Sequence, residues 1–351
     1  RVAIYNVRAD YTNQLSPCLE FKGGALLSVT DYDINYGRVD QFLPEFNAQS
    51  RYDATPWELG FYGQATLEFD GLSANLWLRA EVFITGAEAF GGALFDNFLG
   101  TRAETDVQPA FPDSLLASAS TFFALSPRLG VSFPVTEVSK LFFNYGHFRS
   151  LPSSPNLYLY EFSTTTGRIL NVPNPDMPLP KTVAYELGYE QSFFGQYSAA
   201  ITGYYRDVRF EPLTIDVTSR NGNVEYDLVT PNFYQDPRGF ELTLAKSGGD
   251  WVRGFLNYTF AVDTDGFFGL SQLNENAEAQ RNFEAADGPR RAAQSRPLAD
   301  SFGTININVF TPDNFGPSYG GLRPLAGWRT SFLGRWRDGG KITWGDESFN
   351  A

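Results

Sequence analysis

The sequence is poor in the residues that build metal centres and covalent cross-links. Its 351 residues include one cysteine, Cys18, one histidine, His147, and one methionine. A single cysteine forms no disulfide within the chain, and one Cys with one His cannot make a zinc site. No run of about 18 apolar residues occurs, so no transmembrane helix is expected. Basic residues are in deficit: 27 Lys and Arg against 40 Asp and Glu leave a formal net charge of −13. With no local basic stripe to offset that balance, nucleic acid is excluded as a partner. The chain opens inside a strand pattern, without a charged start and an apolar stretch. No signal peptide is therefore expected, and the chain reads as mature or truncated.

What the sequence has in excess is aromatic: 32 Phe, 18 Tyr and 6 Trp, beside 33 Gly. That composition favours strands. Alternation with a period of two runs through the chain. Ile305, Ile307 and Val309 oppose Thr304, Asn306 and Asn308, and Val183, Tyr185, Leu187 and Tyr189 oppose Ala184, Glu186, Gly188 and Glu190. About twelve strands follow from this rule, at 2–15, 19–36, 58–70, 72–86, 126–134, 138–149, 181–194, 196–211, 234–248, 250–263, 299–311 and 326–338. Several exceed the five or six residues usual in globular proteins and reach the 9–11 needed to cross a bilayer. Connections alternate between tight turns, such as Asp70-Gly71 and Gly248-Gly249-Asp250, and long loops at 37–57, 87–125, 150–180, 212–233 and 264–298. Short turns at one end and long loops at the other mark an antiparallel up-and-down transmembrane β-barrel. The segment 312–325 is long where a short turn is due. A soluble propeller would repeat every 40–50 residues, and no such repeat is present. One face of the strands is apolar. The other carries Arg79, Glu81, Glu186, Glu190, Arg206, Glu241, Arg253 and Arg335, as a wet or plugged lumen allows.

The most specific stretch is 126–190. Ser126-Pro127-Arg128-Leu129-Gly130-Val131-Ser132-Phe133-Pro134 leads to Phe142-Phe143-Asn144-Tyr145-Gly146-His147-Phe148-Arg149. Then come Asn174-Pro175-Asp176-Met177-Pro178-Leu179-Pro180-Lys181-Thr182 and Tyr185-Glu186-Leu187-Gly188-Tyr189-Glu190. This stretch resembles the barrel of TonB-dependent outer-membrane receptors, in motif style closest to the carboxypeptidase-regulatory-like branch related to glycan importers. Lys181 departs from the acid more common there. The resemblance implies an all-β barrel of about 22 strands around a plug. The twelve strands visible here are then part of it, and residues 1–351 are one partial outer-membrane barrel domain. Neither a plug nor an N-terminal coupling box is recognisable in the chain.

The resemblance further implies import of a scarce solute (glycan, peptide or metal chelate) across the outer membrane of a Gram-negative bacterium. Long loops would be extracellular, the barrel would sit in outer-membrane lipid, and an energy-coupling TonB complex would act through the missing N-terminal part. The alternative is a non-transporting scaffold or adhesin that docks a surface lipoprotein or a larger outer-membrane assembly. No enzyme is expected: His147 and Ser150 lie close in sequence, but the family motif already accounts for His147. Asp263-Thr264-Asp265-Gly266 lacks the later ligands of a calcium loop. No cofactor and no metal is expected. The candidate ligand-binding residues are His147, Arg149, Asn156, Tyr158, Tyr160, Phe162, Glu186 and Glu190. They follow the family-like hairpin, return through a rigid Pro-rich run, or point into the lumen. Aromatics with polar partners suit such ligands, and loop-to-loop packing is the competing role.

Overall fold

A computed structural model describes residues 1–43, 47–100, 113–165, 167–294, 298–318, 320–338, 341–344 and 347–350. Twelve long strands form one antiparallel meander, numbered here in chain order. They are β1 (Val2–Ser16), β2 (Leu19–Arg38), β3 (Trp57–Phe69), β4 (Leu72–Ile84), β5 (Thr121–Thr136) and β6 (Ser139–Arg149). The second half holds β7 (Lys181–Phe193), β8 (Tyr197–Thr218), β9 (Arg238–Lys246), β10 (Val252–Asp263), β11 (Leu298–Phe310) and β12 (Arg329–Arg337). Each pairs with the next. Every expected strand is present. The second edges of β1 and β12 have no partner strand among the described residues.

The alternation sorts the two faces as the sequence pattern required. Directly opposed residues share a face, so Tyr145, Tyr185 and Tyr205 stack across β6, β7 and β8, with ring centroids 5.2 and 6.2 Å apart. This apolar face continues through Leu141, Phe143, Leu187, Ile201, Leu244, Ile305 and Ile307. Strand β9 shows it most clearly: Phe240, Leu242 and Leu244 lie between Arg238 and Lys246. Lys246 packs over the Tyr197 ring at 5.1 Å. Tyr197 and Tyr205 are eight residues apart, about 26 Å along the strand. At the usual barrel tilt that is about 20 Å of height, close to the apolar band of an outer-membrane barrel.

Short turns join the strands at one end. Gly71 and Gly195 adopt φ of +87° and +66° with open space around them. The segment between β11 and β12 remains the exception, and its Phe315 packs edge-on against Trp251 at 4.9 Å.

At the other end the long loops carry strands and a helix of their own. The loop given as 212–233 is largely the upward continuation of β8, paired with a strand at Glu225–Gln235 across two register shifts. Phe210 takes a left-handed φ of +63° within the first of those shifts, between Val208 and Glu211. Strand Ala48–Ala54 extends the β2 hairpin and pairs with Glu161–Ser163, which pairs with Ile169–Val172. That last strand runs parallel to Glu225–Gln235. The loop strands thus link β2 to β8 above the wall. The loop 264–298 holds α1 (Ala277–Gln294), whose start is capped by the Asn276 side chain accepting from the Glu278 amide at 2.9 Å. Residues 101–112 of the 87–125 loop, with 44–46 and 295–297, lie outside the described residues.

Two cores fill this cap. In the first, Leu157, Tyr158 and Leu179 pack against Tyr52, Phe83 and Ala124. Phe83 and Ala124 lie on the polar side of β4 and β5, so the loop folds over the inner face. The second joins Leu99, Phe162, Ile169, Val172, Val217, Val224 and Tyr226.

Candidate functional site

The inner face is a wall of paired charges and stacked rings. Arg79 on β4 reaches Glu58 at 3.6 Å and Glu81 at 2.8 Å. Tyr62 on β3 donates to Asp10 on β1. Arg128 on β5 lies between the rings of Trp77 (4.4 Å) and Phe148 (4.2 Å). A cation over two ring faces is held by both quadrupoles. Gly146 makes room for it, because a Cβ there would come within 2.9 Å of the Phe148 ring and 3.3 Å of Arg128. Beside the stack opens a recess of about 300 Å³ lined by Gln64, Asn75, Trp77, Arg128, Asn144 and Glu186. Amides, a guanidinium edge and a carboxylate converge there, a set suited to polar or charged groups.

The eight candidate residues fall into three separate places. Glu186 and Glu190 point inward. Glu186 accepts from Asn144 at 3.4 Å and faces Arg206 at 3.9 Å, and Glu190 pairs with Lys140 at 2.9 Å. His147 and Arg149 share the face of Tyr145 and therefore lie outside the wall. His147 Nε2 is 2.6 Å from the Tyr145 hydroxyl, and Arg149 donates to the Leu179 carbonyl at 3.2 Å. One residue of offset in β6 places them on the face away from Glu186. Asn156, Tyr158, Tyr160 and Phe162 belong to the cap.

Tyr158 is 4% exposed, and its hydroxyl donates to the Thr85 carbonyl at 2.9 Å. Burial, with Tyr32 and Tyr52 beside it, raises its pKa well above the ordinary phenol value. Burial likewise pushes Tyr160 up to about 12. Phe162 is inside the second core. The rings of Tyr158 and Phe162 are enclosed by protein and Tyr160 is half-buried beside the second core, so these aromatics pack within the cap and, for Tyr158, onto the inner wall. Asn156 stays half-buried, its carbonyl accepting from the Asn174 amide at 2.8 Å.

Sequence reasoning missed two features. One is the Arg128 stack, although Trp77, Arg128 and Phe148 all sit at inward positions of the alternation. The other is a carboxyl pair on the cap sheet, where Asp216 and Asp227 are directly opposed. Partial burial and then Asp216 push Asp227 up to about 6. Only a pairing register reveals that pair, because the two residues lie on different strands.

The family model described as TonB dependent receptor-like, beta-barrel, matches residues 4–351. No curated protein matches the chain by sequence. Solved structures share its fold. One is the haemophore receptor HasR of Serratia marcescens, as a double mutant in complex with its haemophore HasA and haem. It has a TM-score of 0.54 at 13% identity, covering 89% of this chain and 50% of that one. The copper transporter OprC aligns with a TM-score of 0.51 at 10% identity, covering 95% and 48%. The FrpB iron transporter of Neisseria meningitidis (F3-3 variant) gives 0.50 at 11%, covering 88% and 43%. The chain spans about half the length of these structures.

Proposed function

The chain belongs to the TonB-dependent receptor β-barrel family, and from that premise we propose that it forms part of the wall of an outer-membrane importer. The cargo is a scarce solute: a glycan, a peptide or a metal chelate. The observation that carries this reading is the pairing of a charged inner face with an apolar outer band, under loops folded into a cap at one end. A bilayer demands the outer band, and a polar solute path or a polar plug demands the inner one. The cap end is extracellular, where it meets the cargo. Glu186, Glu190 and the Arg128 recess line the path below it.

The free edges of β1 and β12 bear on domain organisation. Unpaired backbone is not tolerated in hydrocarbon. The two edge strands run in opposite directions, so closure takes an even number of further strands. About ten would complete the 22-stranded class. Energy would come from a TonB complex acting through a segment outside this chain.

The test is uptake by energised cells carrying the full-length protein, offered glycans, peptides and iron chelates, with and without the TonB complex. Uptake of one class that stops without the complex supports import. Absence of uptake of every class, with stoichiometric co-purification of a surface lipoprotein, would favour the scaffold reading. A specific observation speaks for that second reading: Phe42, at the tip of the β2 loop, is 90% exposed beside exposed Val39 and Leu43. Apolar residues clustered at a loop tip suit a protein partner.

A further inference from the structure

The segment between β11 and β12, long where the other connections at that end are tight, joins two residues of the inner face. It runs from Phe310, the last residue of β11, to Arg329, the first of β12, and these two are directly opposed. Its base is pinned. The Thr311 amide donates to the Trp328 carbonyl at 2.9 Å, and the Trp328 amide donates to Thr311 Oγ1 at 2.9 Å. Trp328 Nε1 donates to the Pro324 carbonyl at 2.6 Å. A segment held this closely fixes the ends of both strands, and with them the side chains that stand there.

Two guanidiniums meet there at one ring. Arg253 on β10 lies 5.4 Å from the Phe310 centroid, and Arg329 lies 4.9 Å from it. All three share the inner face, because Arg253 is opposed to Asn308, two residues from Phe310 on β11. Arg335 is on that face too, opposed to Thr304, about 20 Å further along β12. Other inward cations are answered by acids: Arg79 by Glu58 and Glu81, Lys140 by Glu190, Arg206 by Glu186. Among the described residues, Arg253, Arg329 and Arg335 have no carboxylate within ion-pair distance. All three are exposed. Like charges gathered at one ring repel, and they do so here in a chain of net charge −13, where acids are plentiful. Arg253 Nε donates to the Gly249 carbonyl at 2.9 Å, which leaves its Nη groups for a ligand. Ser331 Oγ donates to Asn308 at 2.6 Å, and Asn308 Nδ2 to Asn306 at 2.7 Å, so these neighbours bond one another. Planar guanidinium forks match carboxylates and phosphates.

We propose that Arg335, Arg329 and Arg253 form a track of anion sites leading to the end of the lumen opposite the cap, and that the cargo carries carboxylate or phosphate groups. The inference rests on the import reading and narrows its cargo to anions. The Arg253–Phe310–Arg329 cluster is the last station before the solute leaves. Its arginines are exposed, so each holds an anion weakly, as a solute that must leave requires. The long segment between β11 and β12 has a role in this reading: it sets the two strand ends that bring Arg329 and Phe310 together.

The experiment titrates purified full-length protein in nanodiscs with tricarballylate, with inorganic pyrophosphate, and with the neutral triamide of tricarballylate, read by calorimetry. An exposed charge pair is worth up to about fivefold in affinity. Arg329→Gln and Arg253→Gln should each weaken binding of an anion about fivefold, and added salt should weaken it further. Lys246→Gln, on the outer face, should leave it unchanged. Retention of heat-modifiable migration on gels verifies that each variant is folded. Wild-type affinity in folded Arg253→Gln/Arg329→Gln protein overturns the site, as does equal binding of the triamide. Absence of anion binding by the folded wild type also overturns it. A lowered urea midpoint in the double variant would then mark a carboxylate of the protein itself as the partner. Uptake by energised cells separates this inference from the import reading. Arginine-dependent anion binding without any uptake would overturn import and leave the anion sites standing. Uptake that needs the TonB complex but is unchanged in the double variant would leave import standing and remove the track from the solute's path.

Discussion

Leu242 is the residue at which the bilayer reading is most exposed to refutation. It lies midway on β9, four residues from Arg238 and four from Lys246. Four residues are about 13 Å of strand, and about 10 Å of height at barrel tilt. A lysine stem cannot carry its ammonium all the way to either interface from there. Leu242→Lys should therefore cost about 2–4 kcal/mol, the value for a cation at the midplane of a barrel's lipid face. That is about 30- to 700-fold in the folding equilibrium. Thr243, the next residue, points inward, where a cation joins a wall already carrying Glu241 and Arg253. Thr243→Lys should cost under about 0.5 kcal/mol. The assay is urea titration of the full-length protein refolded into vesicles, with band-shift on gels as the readout. The same contrast is expected between Ile307→Lys and Asn306→Lys on β11. If Leu242→Lys and Thr243→Lys shifted the midpoint equally, the assignment of the faces would be wrong.

Other consequences concern the cap and the inner wall. Tyr158→Ala removes a buried ring from the first core and should cost about 3–5 kcal/mol, releasing the 150–180 loop to protease. Tyr158→Phe loses only the bond to the Thr85 carbonyl, at about 1 kcal/mol; equal protease sensitivity of the two would deny the ring its packing role. Arg128→Met should lower stability by about 1–2 kcal/mol, through loss of two cation–π contacts, and an unchanged urea midpoint would remove the stack from the account. Asp227 is held above its unfolded pKa, so the folded cap binds the extra proton between about pH 4 and 6. Cap stability should then fall as pH rises through 6, and Asp227→Asn should flatten the dependence. Amide exchange of Glu225–Gln235 at pH 5 and 7 measures it, and greater protection at pH 7 would contradict the sign.

Strand positions were legible in the sequence because a single period, two, governs every membrane strand. Outward Leu, Ile and Phe alternate with inward Asn, Glu and Arg, and tight-turn residues mark the lower ends except at 312–325. The cap was not legible, for a physical reason. Its strands are only three to four residues long at Glu161–Ser163 and Ile169–Val172, too short to show a period. They are ordered by the burial of Phe162, Ile169 and Val172 against partners far away in the chain. Helix α1 did leave a signal: Asn276 stands before an Ala-, Glu- and Gln-rich run, an N-cap ahead of strong helix formers. For the candidate site, parity was the missing step. Glu186 and Glu190 were assigned inward by alternation, and the same count along β6 from the inward Asn144 places His147 and Arg149 outside. Tyr158 and Phe162 read as ligand aromatics from loop position alone, and only tertiary packing shows them buried.

The orientation of the chain in the outer membrane is tested most directly by thiol accessibility on intact cells. Full-length protein lacking Cys18 would carry Asn221→Cys at the cap end or Asp70→Cys in the exposed Asp70-Gly71 turn. A membrane-impermeant maleimide should label the Asn221→Cys protein on whole cells, and the Asp70→Cys protein only after the outer membrane is opened. Labelling of Asp70→Cys on intact cells, with Asn221→Cys protected, would contradict the account.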